Sequence, residues 1–391
     1  MDSADDLNAQ LDSFDFQPRT RVVCGPGSID RLGELASEIG TRRALVVTDV
    51  GIVAAGHVDR GVASLSAANI ETMVFDGARE NPTTADVEAG LVVAKRFEPE
   101  LLVGLGGGSS MDCAKGINFV YSCGGTMHDY WGVGKALNEM LPMIAVPTTA
   151  GTGSELQSFA LISDADTHVK MACGDKKASC RIAILDPSLT LTQPLQVTAL
   201  TGVDALSHAV ETFVTTKRNR VSLLFSMESF RLLTANFETV FKQPNNLQAR
   251  AGMQLGAAYA GLAIENSMLG AAHALANPLT ATFDIPHGQA VGLMLPHVVE
   301  FNGIELDDQY QQLLQGIGFE VKAEQRAASQ LAKYLTQLVE IAGLKTSLSE
   351  LKVSQDQLPE LAAAAAKQWT GNFNPRKVDS ENLQSIYESA L

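Results

Sequence analysis

The sequence predicts an α/β domain built on a parallel sheet, followed by an all-α domain. Three observations carry that reading. Short β-branched runs alternate in the first half with segments of helical period, the spacing of βαβ units. Two loops rich in glycine and hydroxyl residues follow apolar strands in that half, at the strand ends where open parallel sheets bind ligands. After about Pro194, long segments rich in Ala, Leu, Gln and Glu carry i, i+3, i+4 apolar spacing without a convincing strand run. The 391 residues suffice for two domains at roughly 100–200 residues each.

In order along the chain, Asp2, Asp5, Asp6, Asp12 and Asp15 face only Arg19, so residues 1–18 read as a solvated lead-in. The α/β domain is expected over 19–194. Its strands are RVVCG, ALVVT, ETMVF, LLVGLG and MIAVP, and its helices run over Ile29 to Ile39, Ile52 to Ser66, about Thr83 to Phe97, and onward from about Ser109. Pro187 and Pro194 flank the change of texture, which places a helical domain over 195–391. In that half His273 sits on a helix that Pro278 is expected to help end, and His287 lies between Pro286 and Gly288.

Composition excludes several classes of partner. Asp plus Glu outnumber Lys plus Arg by 44 to 29, and the net charge of -15 is the wrong sign for phosphate backbones or anionic lipid. No nucleic acid or membrane partner is expected. No apolar stretch reaches the roughly 18–20 residues of a spanning helix, and the start lacks the basic and apolar order of a secretory signal. Five cysteines without a C-x-x-C pair argue against a disulfide framework or a cysteine zinc site, so reduced thiols and a cytoplasmic location are expected.

The glycine loops carry the first chemistry. In LLVGLGGGSSMDCAK an apolar strand runs into Gly106, Gly107, Gly108 and Ser109 at the mouth of a helix. Such a backbone admits a close ligand, and free N–H groups at a helix start attract phosphate oxygens. A dinucleotide pyrophosphate fits, with a tight structural turn as the alternative. The second loop, VPTTAGTGSE, offers Thr148, Thr149, Thr152 and Ser154, and two such loops suggest one phosphate-bearing cofactor between them. Asp49, ending ALVVTD, is placed either to accept from an adenosine ribose and repel a 2′-phosphate or to cap a helix.

A second constellation lies in the helical half. Asp204 and His208 are i, i+4 in LTGVDALSHAVE and emerge on one face, and His273 and His287 complete one carboxylate and three imidazoles. Such N and O donors suit Fe, Zn or Mn. A buried Asp–His hydrogen bond plus two core histidines explains each feature singly, whereas their occurrence together with the cofactor loops favours a metal set. His57, His128 and His168 lie in segments without metal-ligand partners and read as surface or satisfied polar residues.

From about Pro18 to Leu391 the chain resembles the iron-containing, or group III, alcohol dehydrogenases. The resemblance rests on GPGS at Gly25, ENPT at Glu80, GGGSSMDCAK, PTTAGTGSE, LDPSLT at Leu185, GVDALSHAVE, HALANPL, PHG and NPR at Asn374. It implies a dehydroquinate synthase-like architecture with a metal in the cleft between the domains, held by Asp204, His208, His273 and His287. It assigns Gly107, Gly108 and Ser109, with Gly106 beside them, to the pyrophosphate of NAD. Asp49 goes to the ribose, which disfavours NADP, and Asn81, Thr148, Thr149 and Lys170 go to the remaining polar groups. Fe(II) is the favoured ion, with Zn(II) and Mn(II) as alternatives. A homodimer or larger homo-oligomer is implied as well. One departure stands out: many relatives carry a second histidine four residues after the one matching His273, where this chain has Asn277, which cannot exchange a proton near neutral pH.

The activity implied is NAD(H)-linked hydride transfer on a small alcohol or diol, or its aldehyde or ketone. Ala150, Ile264, Leu269 and Phe283 are candidate pocket residues, with buried core as the alternative. A zinc polyol dehydrogenase resembling glycerol dehydrogenase and a hydroxy-acid dehydrogenase remain alternatives. A dehydroquinate synthase-like lyase calls for extra basic groups, yet no Lys or Arg lies between Ala251 and His287. A metal-free nucleotide-binding protein predicts no stoichiometric metal.

Overall fold

The computed structural model describes residues 13–391. Part of the acidic lead-in, residues 1–12, lies outside the described residues, and 13–18 are exposed without regular secondary structure. The α/β half runs β1 (Arg21–Cys24), α1 (Leu32–Ile39), β2 (Arg43–Val47), α2 (Val50–Ala54), α3 (His57–Ala67), β3 (Glu71–Phe75), α4 (Thr84–Phe97), β4 (Leu101–Gly106), α5 (Gly108–Cys123), β5 (Gly132–Val133), β6 (Met143–Pro147), β7 (Phe159–Ser163), β8 (Lys170–Gly174) and β9 (Ile182–Leu185). Helices follow: α6 (Leu195–Val214), α7 (Arg220–Lys242), α8 (Leu247–Glu265), α9 (Ala271–Phe283), α10 (His287–Gly316), α11 (Ala327–Ile341), α12 (Leu358–Ala365) and α13 (Ser380–Ser389).

Six strands form a wholly parallel sheet in the order β1-β9-β6-β4-β2-β3. Its central strands β2, β4, β6 and β9 read as apolar runs because both of their faces are covered, while the edge strands β1 and β3 are largely exposed. Leu45, Val47, Leu102 and Ala145 join the core beneath α4 and α5, while Ala44, Val46, Val103, Ile144 and Val146 join the core beneath α1 and α3. Thr83 starts α4 with a capping box closed by Asp86, one residue from the expected start. The expected helix over Ile52 to Ser66 is instead two, α2 and α3, separated at Ala55 and Gly56.

Two further expectations need correction. A second, three-stranded sheet has the order β5-β8-β7, with β7 and β8 antiparallel; β5 precedes MIAVP, and β7 and β8 lie between MIAVP and Pro187. Its strands are at most five residues long and β7 alternates buried with partly exposed residues, so neither length nor a continuous apolar run announces them. Pro278 does not end its helix. α9 continues through it to Phe283 and stops where Asp284 takes a left-handed conformation. The proline forfeits one hydrogen bond, to the carbonyl four residues back, and packing of α9 against α10 and α12 holds the helix.

The helical half packs around its own apolar core, and α8 ties it to the sheet. Gln254 on α8 donates to the carbonyl of Pro147 at the end of β6, and Glu265 at the end of α8 accepts from the backbone N–H and hydroxyl of Ser158. These bonds set α8 against the carboxyl ends of the sheet strands.

Candidate active site

Register brings the two glycine loops together. β4 pairs with β6 so that Gly106 faces Pro147, and the Thr148 N–H donates to the Gly106 carbonyl at 2.9 Å. Gly106 has φ of 151°, and a Cβ there would meet Ser110 Oγ at 2.4 Å, so only glycine fits this close turn. Gly107 is the N-cap of α5 with no side-chain cap, Gly108 and Ser109 form its first turn, and Thr149 lies against Gly107. The first N–H groups of a sixteen-residue helix thus open beside the second loop. Thr148 is buried with its hydroxyl unpartnered.

Asp49 adjoins this loop at the end of β2. Its Oδ1 accepts from the N–H groups of Gly51 and Ile52 as the N-cap of α2, and its Oδ2 accepts from Ser110. Lys170, the first residue of β8, donates to Asn81 Oδ1 at 3.2 Å, and Asn81 itself has φ of 52°. The Lys170 charge also bears on Asp204 and His287.

The predicted metal set converges from three helices. Asp204 and His208 sit one turn apart on α6, His273 in the first turn of α9, and His287 at the start of α10. Close helix packing makes this possible: a Cβ on Gly288 would meet the Leu200 carbonyl oxygen at 2.1 Å, and one on Gly292 would meet Val203 at 2.1 Å. The Nε2 atoms of His208, His273 and His287 lie 3.4, 3.5 and 3.7 Å from Asp204 Oδ1. Donors held tetrahedrally at about 2.1 Å from one cation are roughly 3.4 Å apart, so the spacing suits an ion better than it suits direct hydrogen bonds. Asp204, His208 and His273 offer ligand atoms all within 4.8 Å of one another, while His287 is 28% exposed and closes the set from the solvent side.

The electrostatics agree with a donor set. Burial opposes ionisation of Asp204, but the imidazoles, His208 foremost, hold its carboxyl well below the usual range. Burial keeps His208 neutral, and burial pushes His287 down to about 3 against the pull of Asp204. Burial also disfavours a charged His273, yet Glu211 and Asp204 outweigh it and lift the ring to about 9. Asp204 Oδ1 and His273 Nε2 are buried with no hydrogen-bond partner, a deficit of about 1–3 kcal/mol each that a cation between them would remove. The residues present therefore fit a divalent metal.

Three features were not singled out in the sequence. Glu211, at the end of GVDALSHAVE, accepts from His273 Nδ1 and from the Ala272 N–H. Lys115, at the end of GGGSSMDCAK, is fully buried and donates to Ser154, Gln157 and Phe159, pinning the second loop to α5. Asn277 donates to Gln368, whose neighbour Trp369 stacks on Phe159 with ring centroids 6.3 Å apart. Signals existed for the first two: Asp204, His208 and Glu211 share one helical face at i, i+4, i+7, and a lysine amid apolar helix residues needs buried acceptors. Of the candidate pocket residues, Ala150 and Phe283 belong with the helical core, Ile264 is buried near the end of α8, and Leu269 is partly buried between α8 and α9.

A parallel sheet with a glycine-lined helix start, faced by an Asp and three His donors, defines a metal-dependent oxidoreductase class. The chain matches the iron-containing alcohol dehydrogenase family over residues 18–187 and the C-terminal region of the same family over 198–391. It belongs to the iron-containing alcohol dehydrogenase family. It is 34% identical over 382 residues to the 1,3-propanediol dehydrogenase of Klebsiella pneumoniae, covering 97% of this chain and 99% of that protein. The crystal structure of a 1,3-propanediol oxidoreductase superposes with a TM-score of 0.94 at 33% identity, covering 97% of this chain and all of the other. The sulfoacetaldehyde reductase of Bifidobacterium kashiwanohense, solved in complex with NAD+, gives 0.89 at 27% identity, covering 97% and 99%.

Proposed function

We propose that this alcohol dehydrogenase oxidises small neutral alcohols or diols, and reduces the corresponding aldehydes or ketones, with NAD(H) and one divalent metal, Fe(II) foremost. The observation that carries the reading is the convergence of three imidazole nitrogens on Asp204 Oδ1, on a helix whose Thr201 packs against Gly151 of the second loop. In this reading Asp204, His208, His273 and His287 hold the metal. Gly106, Gly107, Gly108 and Ser109 receive the pyrophosphate, and Asp49, Asn81, Thr148, Thr149 and Lys170 receive the ribose and remaining polar groups. Support for the last group is the unpartnered Thr148 hydroxyl and the Lys170–Asn81 pair, whose lysine charge bears on Asp204 and His287.

When bound, the cation supplies Lewis acidity that lowers the pKa of an alcohol or polarises a carbonyl, and nicotinamide supplies the hydride acceptor or donor. The chain's own part is to keep the donors ionised or neutral as needed, to hold the N–H groups of α5 toward the phosphates, and to fix both reactants in one geometry. Asn277 donates to Gln368 and supplies no proton.

The proposed partition is a lead-in over 1–18, a cofactor domain over 19–194 and a metal domain over 195–391, supported by the last sheet strand ending at Leu185 and α6 beginning at Leu195. Assembly as a homodimer or larger homo-oligomer and a cytoplasmic location belong to the same proposal. Among the described residues no helix is long and apolar enough to cross a membrane, and all five cysteines are free.

The test is NADH formation across short alcohols, diols and hydroxy acids after separate reconstitution with Fe(II), Zn(II) and Mn(II). Turnover of neutral alcohols or diols is expected. Turnover confined to hydroxy acids, or none at all, would overturn the reading.

A further inference from the structure

We infer that Glu211 is a positioning residue of the metal centre, holding His273 in the one tautomer that leaves Nε2 free to bind a cation. The inference rests on the metal-site reading above. Glu211 is buried on α6, seven residues after Asp204, which on a helix of 3.6 residues per turn returns it to nearly the same face. One helix therefore carries two proposed ligands and the carboxylate that aims a third.

The two carboxylate oxygens divide the work. Oε2 accepts from His273 Nδ1 at 2.5 Å, so the neutral ring keeps its proton on Nδ1, and Nε2, 3.5 Å from Asp204 Oδ1, is the nitrogen that gives up its proton when a cation binds. Oε1 accepts from the Ala272 N–H at 2.7 Å. That second bond matters because the N-cap of α9 is Gly270, which has no side chain with which to cap the helix, while Asn374 accepts from the Ala271 N–H. The carboxylate that orients the ring thus also fixes the helix turn that carries it. His208 offers a contrast: its Nδ1 is buried and makes no hydrogen bond among the described residues, whereas His273 is held by a carboxylate through its far nitrogen.

Glu211→Gln separates orientation from structure. The amide oxygen can still accept from the Ala272 N–H, but the NH2 then faces His273 Nδ1 as a donor. It would make Nδ1 the acceptor and put the proton on Nε2, where the cation must bind. Loss of such an outer partner typically weakens metal binding about 10–100-fold.

The experiment compares wild type, Glu211→Gln and His273→Ala by chelator competition for Zn(II) and Co(II), with melting of each metal-free protein. The expected result is metal binding at least about tenfold weaker in Glu211→Gln and an altered Co(II) visible spectrum, with a metal-free protein that still melts in one cooperative transition. Weakened binding in His273→Ala with wild-type binding in Glu211→Gln would overturn the inference. Unchanged binding in His273→Ala would instead overturn the metal-site reading. If Glu211→Gln does not fold, nitrogen-edited NMR of the Zn(II)-loaded wild type decides: a downfield, slowly exchanging His273 Nδ1 proton supports the assignment, and its absence overturns it.

Discussion

Gly288→Ala should damage the proposed metal site from outside it. The added Cβ would lie 2.1 Å from the Leu200 carbonyl oxygen, whereas the closest favourable C···O separations are about 3.3 Å, so α10 must retreat from α6 by about 1 Å. The neighbour is backbone within a helix and cannot rotate away. His287 is the adjacent residue, and its Nε2 stands 3.7 Å from Asp204 Oδ1 before any displacement. Metal sites hold ligand distances within about 0.2 Å, so a 1 Å retreat exceeds that tolerance roughly fivefold. Overpacking itself should cost about 1–3 kcal/mol, a melting decrease of roughly 2–12 °C by the scaling for domains of 150–250 residues. The assay is metal stoichiometry and chelator competition on the purified variant, alongside melting of its metal-free form. Wild-type stoichiometry and affinity in Gly288→Ala would refute the claim that α6–α10 contact sets the position of His287.

Further outcomes follow from the same geometry. His273→Ala and His287→Ala should each lower metal content and turnover together, and full activity with metal retained would remove that residue from the site. Asn277→His should keep the metal and change the pH–rate profile; identical profiles would deny the position a proton role. Lys115→Met should lower stability by roughly 3–5 kcal/mol in urea titration, because it strands the buried Asp112 and three backbone carbonyl acceptors, and an unchanged midpoint would contradict this. In the metal-free protein His273 is raised to about 9, so its stabilising contribution is complete below about pH 6.5 and lost as pH rises through about 9. His287 is lowered to about 3, so the unfolded chain binds more protons below about pH 6.5 and stability falls there. Metal-free melting should therefore peak near neutrality, and metal uptake below about pH 9 should release a proton measurable by calorimetry in buffers of different ionisation enthalpy.

The fold class was legible because a sheet covered on both faces turns its strands into apolar runs, as in LLVGLG and MIAVP, with helices of regular period between them. The candidate ligands were legible because Asp204 and His208 are local to one helix and the PHG and HALANPL segments are distinctive. The small sheet was not, since its strands are short and half exposed. Pro278 misled because a local rule ends helices at proline, whereas tertiary packing carries α9 past it. Glu211 and Gln368 escaped for a different reason. Their partners lie 62 and 91 residues away, at His273 and Asn277, and a hydrogen bond across such a separation leaves no periodic trace in the sequence.

The decisive measurement is a titration of the metal-free protein with Fe(II) under anaerobic conditions, following NADH formation from a short diol and NAD. Activity should rise linearly and break at one metal per chain, and an Asp204→Ala variant should show no such rise. Activity independent of added metal, or a wild-type titration curve in Asp204→Ala, would contradict a metal centre built on Asp204 and the three histidines.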